Sequence, residues 1–226
     1  MESPDSTARL REMTNYWTDL GKIRYNDALD LQYRLVRARK ENQIPDTVLF
    51  LEHYSVYTVG RKSDSSNYSN VDVIKTDRGG DVTYHGEGQL VAYFIFDVRI
   101  NGKKEIRKLL ENIEESYIDM LKSYGYRAML YGEPGIWIDD HGQKKKVASL
   151  GMAVDDYISY HGMALNISPG ILEGFRPINP CGMNSSVISY VDIPREKAVH
   201  SLIDEFSEHF GKFTQVESRN IIRIPF

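Results

Sequence analysis

From Arg127 to Asn166 the chain offers four strand-like stretches in succession, with no helical pattern between them. They are Arg127–Tyr131, Gly135–Ile138, Val147–Val154 and Tyr157–Asn166, and Asp140-His141-Gly142 reads as a hairpin turn between the middle two. Parallel strands need a long crossover, whereas antiparallel strands can be joined by a tight turn. This succession therefore predicts an α+β (α/β) fold: a mixed, largely antiparallel sheet flanked by helices, not a doubly wound nucleotide fold. Thr47–Glu52, Val71–Lys75 and Gln89–Asp97 are further strand candidates. The apolar run Leu90-Val91-Ala92-Tyr93-Phe94-Ile95-Phe96 is too short to span a bilayer and reads as a buried strand.

Three helices supply the flanks. Ala28, Leu31, Leu35 and Ala38 recur at helical spacing, with Asn26 as N-cap and Pro45 beyond the end. Ile106, Leu109, Leu110, Ile113, Tyr117, Met120 and Leu121 mark a second helix, stopped by Gly125. Pro194 occupies a first-turn position before Ala198, Leu202, Phe206 and Phe210, and Gly211 closes this third helix. Ser63-Asp64-Ser65-Ser66-Asn67 reads as a surface loop too short to separate domains. Residues 1–226 are thus expected to form a single domain, with 1–15 as a frayed tail.

Charge and cysteine content narrow the chemistry. A formal net charge of −4 supplies no general basic field, so neither nucleic acid nor an anionic membrane is an expected partner. The start lacks an apolar secretory segment. The single cysteine, Cys181, excludes an internal disulfide and points to a reducing, cytoplasmic setting.

Three segments could carry chemistry. Asp77 to Gln89 packs four glycines around a strand that ends in Tyr84-His85, which implies close approach of backbone to a ligand. Its glycine spacing is neither a dinucleotide fingerprint nor a Walker A loop. Lys146 follows two other lysines but abuts an apolar strand, where burial would depress its pKa and suit it to proton transfer. Cys181 lies between Pro180 and Gly182, in a turn that exposes sulfur better than an apolar helix face does. His85, His161 and Cys181 lack the local spacing of a zinc site, so no metal is expected; the two histidines read as hydrogen-bonded strand-end residues lining a pocket. Tyr84 and Phe94 are candidates for setting pocket depth.

Taken in order, these residues resemble the lipoyl(octanoyl) transferases, a family of the biotin/lipoate protein ligase catalytic-domain superfamily. Leu20-Gly21 with Tyr25, Ala28 and Gln32 resembles the family's opening helix, and Leu51-Glu52-His53 with Val56-Tyr57-Thr58-Val59-Gly60-Arg61 its next strand and loop. Arg78-Gly79-Gly80, Thr83-Tyr84-His85-Gly86 and Gly88-Gln89-Leu90 form the signature segment. Gly135-Ile136-Trp137, Lys146 to Gly151, His161 to Asn166 and Pro180-Cys181-Gly182 complete a likeness running roughly from Leu20 to Gly211. Glu87 departs from the pattern where Pro is usual, and Tyr54-Ser55 where Pro-Pro is common.

The resemblance implies a ping-pong acyl transfer. Cys181 matches the nucleophile that carries the acyl group as a thioester, and Lys146 the lysine that activates the thiol and handles protons. Arg78, Gly79, Gly80, Asp81, Val82, Thr83, Tyr84 and His85 match pocket-lining residues, as do Ser149, Leu150, Gly151, Gly162, Met163 and Ala164. The implied donor is octanoyl-acyl carrier protein. The implied acceptor is a lysine of lipoyl domains in 2-oxoacid dehydrogenases or the glycine cleavage H protein, with no ATP or metal cofactor. Oxyanion donors are expected near Cys181-Gly182 or Gly79-Gly80. An acidic donor would need a local basic face, either Lys103-Lys104 with Arg107-Lys108 or Lys144-Lys145. Three other readings stay open: an ATP-dependent lipoate-protein ligase, a Cys/His thioester hydrolase using His85 or His161, and a non-catalytic carrier-binding module.

Overall fold

The computed structural model describes residues 14–224. The strands are β1 (Asn15–Ile23), β2 (Thr47–His53), β3 (Val56–Val59), β4 (Val73–Lys75), β5 (Val82–His85), β6 (Gln89–Ile95), β7 (Arg99–Ile100), β8 (Lys103–Lys104), β9 (Ala128–Met129), β10 (Gly135–Asp140), β11 (Gln143–Asp155), β12 (Ile158–Asn166) and β13 (Phe213–Gln215). The helices are α1 (Tyr25–Lys40), α2 (Ile106–Ser123), α3 (Leu172–Phe175), α4 (Arg195–Phe210) and α5 (Ser218–Ile222).

Eight strands form one sheet in the order β13-β1-β2-β6-β12-β11-β10-β9, and β4-β3-β5 form a second. The pairs β13–β1, β1–β2 and β3–β4 are parallel, and the other ladders of these two sheets are antiparallel. This is the mixed, largely antiparallel arrangement expected. Strand alternation feeds two cores. Val48 and Phe50 of β2 and Leu90, Ala92 and Phe94 of β6 pack on one face with residues of α2 and α4. The intervening Leu49, Leu51, Val91, Tyr93 and Ile95 pack on the other with α1. Every residue of β6 is buried, as a strand covered on both faces requires.

The two-residue turn His141–Gly142 joins β10 to β11 with φ of 49° and 87°, the left-handed pair of a type I′ hairpin. Other expectations need correction. β1 starts at Asn15, so the tail stops short of residue 15; residues 1–13 lie outside the described residues. Leu20 and Gly21 belong to this strand, not to the opening helix. Helix α1 begins at Tyr25 with Arg24 at the N-cap, so Asn26 falls inside its first turn. Pro194 is the N-cap of α4 and contributes a carbonyl that accepts from the Ala198 amide.

Candidate active site

A cavity of about 550 Å³ opens between the α1 face of the large sheet and the segment from Arg78 to His85. That volume lies within the usual range of small-molecule sites. Its walls include Tyr25 of α1, Val91 and Tyr93 of β6, and Ile106 and Leu110 of α2.

The glycine-rich wall is held by Arg78. Its buried guanidinium donates to the Thr58 carbonyl at 2.8 Å, the Asp81 carbonyl at 2.7 Å and the Gly79 carbonyl at 2.9 Å. The planar fork thereby pins the loop's backbone. Gly60 permits the approach: a Cβ there would lie 2.4 Å from the Gly80 carbonyl oxygen. Asp81 accepts from the Asn67 side chain at 2.6 Å and the Asp64 amide at 3.1 Å. Asn67 in turn accepts through its carbonyl from the Asn179 amide at 2.9 Å, just ahead of Cys181.

Cys181 sits in the 3-10 turn Pro180–Gly182 with φ 55° and ψ 33°, a left-handed conformation that a residue with a Cβ adopts at a cost. The turn leaves the sulfur-bearing residue half-buried at the cavity wall. Lys146 reaches the same cavity by a different device. A β-bulge sets Ile136 opposite Ala148 but Trp137 opposite Lys146. Val147 and Ala148 therefore both join the core, while Lys146 and Ser149 both line the cavity. Lys146 is only 4% exposed, with its Nζ 5.8 Å from the centre of the Trp137 ring. Burial holds its ammonium below the usual lysine range, opposed by the negative charge of Cys181 and Glu133. Arg78 also feels the charge on Cys181, so two cationic side chains lie within electrostatic reach of the sulfur.

Neutral imidazoles and phenols back the cavity. His53 Nδ1–H donates to the Ile23 carbonyl at 3.1 Å, and its Nε2 accepts from the Tyr93 hydroxyl at 2.7 Å. Burial pushes its pKa down to about 4. His85 Nδ1–H donates to Gln89 Oε1 at 2.7 Å, and burial together with positive neighbours depresses it well below the ordinary histidine value. Tyr25 stacks on His85 at 6.0 Å and tilts against His53 at 5.1 Å. His161 Nε2–H donates to Asp77 Oδ1 at 2.8 Å, while Tyr160 donates to the other carboxylate oxygen. Among the described residues no cluster of three His, Cys, Asp or Glu side chains is placed to hold a metal, and no helix is long and apolar enough to cross a membrane.

Comparison with known proteins adds the family. The model of the lipoyl protein ligase A/B catalytic domain matches residues 24–211. The octanoyltransferase of Dictyoglomus thermophilum is 38% identical over 180 residues, covering 75% of this chain and 73% of that protein. The octanoyltransferase of Solibacter usitatus is 33% identical over 208 residues, covering 88% of this chain and 92% of that protein. The chain belongs to the octanoyltransferase family. As a member it is an acyltransferase. The solved structure of an archaeal lipoylation system from Thermoplasma acidophilum, a bipartite lipoate protein ligase and its E2 lipoyl domain, is similar in fold, with TM-score 0.70 at 15% identity over 94% of this chain and 91% of that one.

Within this family member, Cys181, Lys146, Arg78 to Thr83, His85, Ser149 to Gly151 and Gly162 to Ala164 all line the one cavity. Tyr84 does not. Thr83 and His85 face the cavity, so the residue between them must face away. Its ring packs on Phe175 at 5.8 Å and its hydroxyl meets Ser55 at 2.9 Å. Phe94 likewise belongs to the opposite core, so neither aromatic sets pocket depth. His161 lies inside β12, not at its end. The Gly79 amide donates to Met152 and the Gly182 amide to Asn179, so neither is a free oxyanion donor. Glu133, Lys104 and Tyr25 line the cavity although the sequence reading assigned them no place in it; only the family likeness drew attention to Tyr25.

Proposed function

We propose that Cys181 and Lys146 carry out octanoyl transfer in two half-reactions within one catalytic domain. The Cys181 thiolate attacks the carbonyl of an octanoyl thioester borne by an acyl carrier protein. A new carbon–sulfur bond forms, the carrier's thiolate leaves, and it takes up the proton given up by Cys181. The ε-amine of a lysine on a lipoyl domain, of a 2-oxoacid dehydrogenase or the glycine cleavage H protein, then attacks the acyl-enzyme. The amide forms, the amine's proton is taken by Lys146, and Cys181 is released as the thiolate, ready for the next donor.

The observation that carries this reading is the placement of the lone cysteine and a buried lysine on one cavity, close enough for their charges to interact. Burial shifts Lys146 toward the neutral form that a base requires. The backbone amides of Gly80 and Cys181 are the oxyanion candidates, and losing one such donor typically costs about 2.7–4 kcal/mol. Burying the methylenes of an octanoyl chain contributes at most about 5 kcal/mol, at about 0.8 kcal/mol each. Thioester to amide is downhill, so the reaction needs neither ATP nor a metal. A free nucleophilic thiol suits a reducing compartment, here the cytoplasm.

Incubation with octanoyl-acyl carrier protein, followed by intact mass, tests the reading. The wild-type chain gains one octanoyl group and loses it on adding a lipoyl domain, whereas Cys181→Ser gains no thioester. Wild-type transfer by Cys181→Ser would overturn the reading. Pyrophosphate release from free lipoate and ATP would favour the ligase chemistry instead, and free octanoate without a lipoyl domain would favour hydrolysis.

A further inference from the structure

Two basic clusters lie near the cavity, and their surroundings differ. Lys144 Nζ is 2.7 Å from Asp139, and Lys145 donates to the Ser186 carbonyl at 3.0 Å. That cluster is spent within the fold. The other lies on the hairpin of β7 and β8 and the first turns of α2. The hairpin turns at Asn101–Gly102 with φ of 52° and 77°. Arg99 is paired with Asp97 and Arg107 with Glu111. Lys103 and Lys108 are exposed, and among the described residues neither has a carboxylate within ion-pair range.

This face continues the mouth of the cavity. Lys104, Ile106 and Leu110 line the cavity itself. Just outside, Ile100, Lys103, Arg107 and Lys108 border a separate groove of about 510 Å³ together with Glu105 and Glu111, the latter already paired with Arg107. Ile100 is 50% exposed and Ile106 38%, so apolar side chains stand among the cations. The hairpin is set in place before any partner arrives: Arg99 and Lys104 lie 4.6 and 5.1 Å from the Tyr157 ring, and the Glu105 amide donates to Val98 at 2.9 Å. A fixed surface loses little freedom on binding.

We propose that the β7–β8 hairpin and the first turns of α2 dock the protein carrier of the acyl donor, through an acidic, amphipathic helix on that carrier. The proposal rests on the acyl-transfer reading above. The chain's net charge of −4 would repel an acidic partner, so attraction must be local, and here two unpaired lysines flank exposed isoleucines. Geometry favours donor over acceptor. An acceptor lysine has only its own four methylenes, so its domain must sit over Cys181. A thioester on a long flexible arm lets its carrier dock to one side and pass the acyl group over Lys104.

The test compares Lys103→Glu/Lys108→Glu with wild type; neither residue lines the catalytic cavity. Acylation of Cys181 is timed from octanoyl-acyl carrier protein and from octanoyl-N-acetylcysteamine, which has no protein carrier. The variant is expected to load about tenfold or more slowly from the protein donor, with a flatter salt dependence, and at the wild-type rate from the small thioester. Equal loading from the protein donor overturns the proposal. So does normal loading with slowed discharge to a lipoyl domain, which would assign the face to the acceptor. Direct binding of unacylated carrier protein to both chains decides the docking claim even if wild type fails to form a thioester, a failure that would count against the transfer reading alone.

Discussion

Lys146 is the residue on which opposing effects balance. Burial pushes it toward neutrality, and the charges of Cys181 and Glu133 push it back toward the ammonium. Glu133 is exposed at the cavity rim, and its carbonyl accepts from the Trp137 indole at 3.0 Å, below the lysine. Glu133→Gln removes one of the charges that favour the ammonium, so the Lys146 pKa falls. A base must be neutral to act, so the acidic limb of discharge to a lipoyl domain is expected to move to lower pH. An unmoved limb in a pre-acylated enzyme would remove Glu133 from this role. That Cys181, Lys146 and the glycine loops share one cavity was legible because motifs name residue types directly. Glu133 was not, since nothing local relates a rim carboxylate to a lysine on the next strand. Tyr84 was legible and misread, because strand alternation already assigned it the face opposite Thr83 and His85. The two departures from the family pattern meet outside the cavity. Lys22 reaches Glu87 at 2.8 Å and lies 5.1 Å from the Tyr54 ring, while Ser55 bonds Tyr84.

At the scale of elements, β11 and β12 supply most of the cavity floor, and backbone crowding sets how closely they pack. A Cβ on Gly162 would lie 2.0 Å from the Ala92 carbonyl oxygen on the neighbouring β6. Backbone on a paired strand cannot rotate away, so Gly162→Ala is expected to lose about 1–3 kcal/mol of stability. Urea denaturation measures it, and an unchanged midpoint would show that the ladder absorbs the methyl. The strands from Gly135 to Asn166 were readable because each is apolar and closed by a turn. The hairpin at Asn101–Gly102 escaped the reading although Asn-Gly is a strong turn signal, because its strands have two residues each and no alternation to count. β1 and β13 escaped for another reason. They pair in parallel with each other, and β1 with β2, so their state is decided by partners far along the chain.

For the whole molecule, the buried imidazoles set an acid limit. His53 is held down to about 4 and His85 well below its ordinary value, both by burial, against roughly 6.5 in an unfolded chain. Between those values the unfolded chain binds protons that the folded chain refuses. Stability is therefore full above about pH 6.5 and lost as pH falls toward 4, by up to about 1.4 kcal/mol per pH unit for each neutral imidazole. Asp77, held at about 2 chiefly by its hydrogen bond from His161, acts in the same direction below about pH 4. Urea midpoints at pH 7 and pH 5 check this, and equal midpoints would refute it. The pairing of Asn15 with Phe213 has a consequence of a different kind. During synthesis β1 leaves the ribosome well before its outer neighbour β13, with every other strand of the large sheet made in between. Until β13 follows, one flank of the nascent sheet stays open to pairing with other chains. An acyltransferase whose cavity is built from residues 25 to 181 can thus be locally complete while its sheet is still unsealed, which makes chaperone capture of that flank a stage of its biogenesis to look for.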